Sequence, residues 1–118
     1  MNTSYYYSSK IMYINAKLIR ISASYPKHVV YIQKSKVYKP LCPEWDLVNQ
    51  YKTKKISDKE YTFLYYKHTL DYLDPEKVYN DLGDDSILLC WEKPGLFCHR
   101  HIVSNWFKQI LGIDVKEL

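Results

Sequence analysis

The sequence predicts a small Rossmann-like α/β domain in three layers, with about four mainly parallel strands and helices on both faces. Three observations predict it. Lys17–Ala23 and Ser86–Trp91 are apolar or β-branched runs, long enough for buried strands and too short for helices. Helical patterns with capping residues occupy about 57–73, 74–82 and 98–112. Between the run at 86–91 and the helix after Cys98, Lys93-Pro94-Gly95 breaks the chain, so a strand is followed by a tight loop and a helix. In an open α/β sheet such a junction lies at the carboxyl end of a strand, where ligands bind.

The elements follow in order. Ser4–Ser8 is short and aromatic and reads as a first strand, and Lys17–Ala23 as a second. The second ends in Ser22, Ala23, Ser24, Tyr25 and Pro26, small and polar residues suited to a ligand-facing loop. From Lys27 to Pro40 no helical period is present; His28–Ile32 reads as an edge strand, and Lys34, Lys36 and Lys39 make this long loop basic. Residues 43–51 form a short helix with Trp45, Leu47 and Val48 turned inward, followed by the basic connector of Lys52, Lys54 and Lys55. Ser57 and Glu60 make a capping box that opens a helix to about Leu73. Its inward face carries Tyr61, Leu64, Tyr65, His68 and Tyr72, widened by Phe63, Leu70 and Leu73. Asp74 caps the next helix, Pro75 takes its first position, and Gly83 lies beyond its end. In the last helix Ile102, Val103, Trp106, Phe107 and Ile110 share a face, and Gly112 closes it. Residues 112–118 supply a final strand.

A chain of 118 residues is expected to form a single domain. Its 47% hydrophobic and 25% charged residues are those of an ordinary globular protein. No apolar run approaches a membrane span, so no membrane partner is expected. The start of the chain does not read as a signal peptide, and three Cys make no disulfide framework, so a reducing cytoplasm is the expected location. The net charge of +4 is compatible with an acidic partner but below that of a dedicated nucleic-acid binder. Thirteen Tyr among the lysines suit stacking on unpaired bases, while A·T-rich codon usage enriches the same residues without any such role.

Leu88-Leu-Cys-Trp-Glu-Lys-Pro-Gly95 and Phe97-Cys-His-Arg100, followed by Ile102-Val-Ser-Asn-Trp106, resemble the signature of the domain-of-unknown-function 488 family. Ile19-Arg-Ile-Ser22 with Pro26, Leu41-x-Pro43, and Ile56-Ser57 with Tyr61-Thr62 resemble its shorter members. Longer members place a helix near 9–16, so against them this chain looks trimmed. The resemblance implies a Rossmann-like α/β fold and a site at the signature, and it brings no settled activity. Ser22 and Pro26 fall on its shared pattern.

Chemistry at the signature has several readings. Arg100 in the first helical turn, where free amides and the helix dipole favour an anion, predicts an anion site suited to a phosphate; its other reading is a pair with Glu92 that pins the loop to the helix. Ser22 and Ser24 would approach the same anion from the neighbouring strand, with Arg20 on their face, or else cap the strand-to-turn transition. Cys98 at the helix start is expected to have a lowered pKa and, with His99, to form a nucleophilic thiolate; alternatively it is a small buried hydrophobe. Glu92 is the candidate general acid or base, or an acceptor for the loop amides and Arg100. Cys90 reads as core and Cys42 as incidental. Cys90, Cys98, His99 and His101 number enough for zinc, but their spacing matches no finger or knuckle, and His99 and His101 point about 200° apart on a helix. No metal and no cofactor are therefore expected.

Two classes of function remain: an enzyme acting on a nucleotide, base or other phosphorylated compound through Glu92, or a non-catalytic module that binds nucleotide or nucleic acid in the same crevice. A third possibility is that the signature only staples the fold. The partner in the first two is a phosphorylated small molecule or a nucleic acid.

Overall fold

The computed structural model describes residues 1–12 and 14–118. Among them lie five strands: β1 (Asn2–Tyr5), β2 (Lys17–Arg20), β3 (Lys36–Val37), β4 (Ser86–Cys90) and β5 (Lys116–Glu117). All pairs are parallel, in the order β3-β2-β4-β1-β5. This is the small parallel-sheet architecture expected, with one strand more and no antiparallel pair. β4 is central. It aligns Ile87 with Asn2 on one side and with Leu18 on the other, and all five of its residues are buried. A strand covered on both faces must be apolar throughout, which is why Ser86–Cys90 lacks alternation.

The two-residue period divides this run between two cores. Ile87 and Leu89 pack with Tyr6, Ile11 and Ile32 on one face. Leu88 joins Ile19, Ile21, Leu41, Tyr65, Leu82 and Phe107 on the other. The second core is much the larger. Over it lie α2 (Trp45–Lys52), α3 (Asp58–His68), α4 (Pro75–Leu82) and α5 (His99–Leu111). The thinner layer holds a 3₁₀ turn at Ser9–Ile11 and the single-turn α1 (Val30–Gln33).

Local chemistry explains most boundaries. Ser57 Oγ accepts from the Glu60 amide, the Glu60 carboxylate accepts from the Ser57 amide, and the capping box that opens α3 is complete. Asp74 accepts from the Glu76 amide and Pro75 begins α4. Gly112 closes α5 at φ 68°, a left-handed conformation that costs glycine nothing.

Several expectations are corrected. The edge strand expected at His28–Ile32 is instead α1, and the edge is β3. Ile32 is fully buried against Tyr6 and Leu89, so anchoring one side chain under the sheet outweighs the strand preference of a β-branched run. The stretch from Lys27 to Pro40 therefore contains a helical turn and a strand. The first strand begins at Asn2 rather than Ser4, and the second ends at Arg20. The helix expected to reach Leu73 stops at His68; Thr69 leaves helical geometry, and a 3₁₀ turn at Leu70–Tyr72 drives Leu70 into the core. Consequently His68 and Tyr72 are exposed rather than inward, as is Phe63. Leu47 is the buried residue of α2 while Trp45 is 73% exposed, and Ile110 on α5 is exposed too. No helix among the described residues is long and apolar enough to cross a membrane.

The strand order positions a crevice. After β2 the chain moves outward to β3, whereas after β4 it crosses with α5 to β5 at the opposite edge. The neighbours β2 and β4 thus send their following segments apart, and the space between their carboxyl ends is the switch point where parallel α/β sheets take ligands.

Candidate functional site

A cavity of about 650 Å³ opens at that switch point, within the range of small-molecule sites. The loop after β2 contributes Ser22, Ala23 and Ser24; the end of β4 and its loop contribute Cys90, Trp91, Glu92, Leu96 and Phe97; Cys98 and His99 come from the start of α5. Residues 43–61, from the start of α2 into α3, form the opposite wall. There Tyr51, Tyr61 and Phe97 make an aromatic cluster, with ring centroids 5.1 to 5.5 Å apart. Lys52, Lys54 and Asp58 are charged groups of the wall, and Trp45 and Leu96 are apolar side chains left largely exposed on it.

Of the predicted site residues, Ser22, Ser24, Glu92, Cys98 and His99 line this cavity, and Arg100 does not. Arg100 is fully buried and forks onto Glu117 of β5, Nε to Oε1 at 3.1 Å and Nη2 to Oε2 at 2.8 Å. Thr3 Oγ1 donates to the same carboxylate at 2.8 Å. Consecutive helix residues point about 100° apart, so if position 99 faces the cavity, position 100 faces the sheet edge. The pair with Glu92, the second of the two readings of Arg100, is therefore replaced by one with Glu117, and the guanidinium is committed to a carboxylate rather than open to an anion. Burial opposes the charge on both groups, but the mutual hydrogen bonds and charges outweigh it, so Glu117 is held below and Arg100 above its ordinary pKa.

The serines are locally engaged. Ser22 Oγ donates to the Ser24 carbonyl at 2.8 Å and is also bonded to the Tyr6 hydroxyl. Trp91 Nε1 donates to both the carbonyl and the hydroxyl of Ser24 at 3.0 Å. This is the strand-to-turn bonding that competed with the ligand reading. Arg20 stacks on Tyr25, its guanidinium carbon 3.8 Å from the ring centre, and stays out of the cavity lining. Glu92 is half-buried in the lining and takes no part in the ion pairs among the described residues. The Tyr51 hydroxyl, which donates to Asp58, is pushed up to about 12 by that hydrogen bond, by burial, and by the charges of Asp58 and Glu92.

The innermost part of the site holds His99 between two thiols. Its Nε2 lies 2.7 Å from the Ile21 carbonyl. A carbonyl only accepts, so Nε2 carries the proton and Nδ1 of the neutral ring presents a lone pair. That lone pair faces Cys90 Sγ at 3.4 Å and Cys98 Sγ at 3.9 Å. Cys98 is 4% exposed, and its pKa is raised rather than lowered, first by the hydrogen bond with Cys90 and then by burial. The expected low-pKa thiolate is corrected accordingly: the helix dipole acts on a sulfur shielded from water, with a second thiol beside it. His101 turns away from this cluster into a second groove with Thr62, Tyr66 and Asn105, which shares Phe97 and Cys98 with the cavity.

Sequence reasoning does not place Tyr51, Tyr61, Lys52 or Lys54 at the site. Tyr61 was legible only as a core residue of α3, and the lysines only as a basic connector. Cys90 reads from sequence as core, and its place among the four possible zinc ligands is the signal for more. No family model, no curated protein and no solved structure matches the chain. The class of protein is thus defined by the fold and cavity: a five-stranded, all-parallel α/β domain with a Cys-His-lined site at its switch point.

Proposed function

We propose that the cavity binds a nucleotide or an unpaired nucleic-acid base, and that the chain is a short relative of the domain-of-unknown-function 488 family acting in a reducing cytoplasm. The observation that carries the binding reading is the pairing, at one switch-point cavity, of an aromatic wall with a lysine edge. The exposed Trp45 and the half-buried Tyr51 and Phe97 present aromatic surface to a base, with the buried Tyr61 backing them, and each stacked base contributes about 1–3 kcal/mol. Lys52 and Lys54 supply the positive charge that Arg100 does not. Three free thiols, two of them buried, are in keeping with a reducing compartment.

Whether binding leads to reaction turns on Glu92. A carboxylate in the lining and outside the ion pairs among the described residues is available to move a proton. In an enzyme the variant Glu92→Gln binds ligand and fails to turn it over; in a binding module nothing else changes. For Arg100 a structural role is favoured by the Glu117 fork.

Titration of tryptophan fluorescence with nucleoside monophosphates, free bases and short single strands tests the reading. We expect quenching by at least one class, and an affinity about tenfold weaker for Lys52→Ala/Lys54→Ala, since each exposed charge pair contributes roughly 0.5–1 kcal/mol. Loss of binding with added salt is expected for phosphorylated ligands and not for free bases. If folded protein binds none of the three classes, the proposal fails.

A further inference from the structure

We infer that Cys90, Cys98 and His99 form a three-ligand site for a thiophilic divalent metal ion, zinc above all, whose fourth coordination position opens into the cavity. Two protein sulfurs and an imidazole nitrogen lie within 4.8 Å of one another on three buried side chains. For tetrahedral zinc, bond lengths of about 2.3 Å to sulfur and 2.0–2.1 Å to nitrogen put neighbouring S and N atoms about 3.6 Å apart. The observed distances of 3.4 and 3.9 Å from Nδ1 to the two sulfurs bracket that value.

The imidazole is also oriented as a metal ligand would be. Its Nε2–H is held by the Ile21 carbonyl at 2.7 Å, and this outer hydrogen bond fixes the tautomer that leaves Nδ1 free to coordinate. The three ligands come from two rigid sources, the end of the central strand β4 and the first turn of α5. Sequence spacing hid the site, because seven residues separate the two cysteines and zinc patterns expect two to four. The parallel strand-loop-helix return closes that gap in space.

Two thiols and a neutral imidazole bind the ion by releasing two protons to solvent, leaving a site of no net charge, which suits its burial. All three ligand residues belong to the cavity lining. A fourth ligand therefore comes from the cavity, as a water or as an oxygen or nitrogen donor of whatever enters. Three protein ligands with one open position is the arrangement of catalytic rather than structural zinc. The inference stands apart from the nucleotide proposal, because metal uptake requires no second ligand.

The test uses the full chain, reduced with a non-chelating reductant, stripped of metal, and titrated with cobalt(II) and zinc. One equivalent of cobalt should produce the visible absorption of tetrahedral thiolate coordination, and zinc should displace it. Native mass spectrometry should show one zinc added with two protons lost. Cys98→Ser and His99→Ala, shown folded by circular dichroism, should weaken binding beyond about 100-fold, more than loss of an outer-shell contact costs, whereas Cys42→Ser should bind as wild type. Should the variants unfold, alkylation of the wild type decides: zinc should protect Cys90 and Cys98 and not Cys42. Folded reduced protein that takes up no metal, uptake insensitive to Cys98→Ser, or alkylation unchanged by zinc overturns the site. In that event the cluster is a hydrogen-bonded thiol–imidazole group only.

Discussion

Arg100 and His99 are adjacent and do opposite things. His99 turns into the cavity and Arg100 to the sheet edge, where its Nε and Nη2 fork onto Glu117 and Thr3 donates to the same carboxylate, while the buried Nη1 is left without a partner. Glu117 bears on stability as pH changes. Its folded pKa is depressed, so its contribution is fully present above the ordinary carboxylate range and is lost as pH falls through the folded value. Glu117→Gln should destabilise the protein by about 3 kcal/mol at neutral pH, because it leaves a buried guanidinium without its counter-charge. It should also flatten the acid limb of stability against pH. Urea melts from neutral to acid pH check both; equal acid sensitivity of the two proteins would remove Glu117 from the account. None of this was legible locally. The partner of Arg100 is 17 residues away on a two-residue strand, and no period or spacing marks such a contact, whereas Glu92 stood close in sequence and attracted the assignment.

Elements were legible where the chain carries its own punctuation. The start of α3 follows from Ser57 and Glu60, α4 from Asp74-Pro75 and Gly83, and the end of α5 from Gly112, because these residues satisfy backbone groups within a few positions. Ser57→Ala should accordingly cost about 1 kcal/mol, read as a lowered melting temperature. A wild-type melting temperature would show that the exposed cap is redundant. Elements set by distant packing were not legible. Val30-Tyr-Ile-Gln33 has the composition of a strand and becomes a helical turn because Ile32 must reach the lower core. Trp45 has the composition of a core residue and stands exposed because Leu47 faces inward instead. For the site, the strand-loop-helix junction was readable at 86–100; its far wall, from α2 and α3, was not, since nothing local says which helix crosses which strand end.

Across the whole molecule, order should be concentrated on β4. It is buried throughout and bonded on both sides by β1 and β2, so its amides should open only with global unfolding. The two-residue strands β3 and β5 should exchange far earlier. Amide hydrogen exchange followed by mass spectrometry or NMR measures the order directly, and β4 exchanging as early as β3 would contradict it. The shortness of those outer strands has a further consequence. Parallel sheets end in unpaired backbone groups on which another chain can add a strand, and growth of that kind is a route to aggregation. Here each border offers a two-residue strand, one bearing Lys36 and the other Lys116, both exposed. A foreign strand would find too few amides to hold it and a positive charge where it must dock. The domain thus keeps a long, apolar middle strand without advertising it, and the sheet stops growing at five.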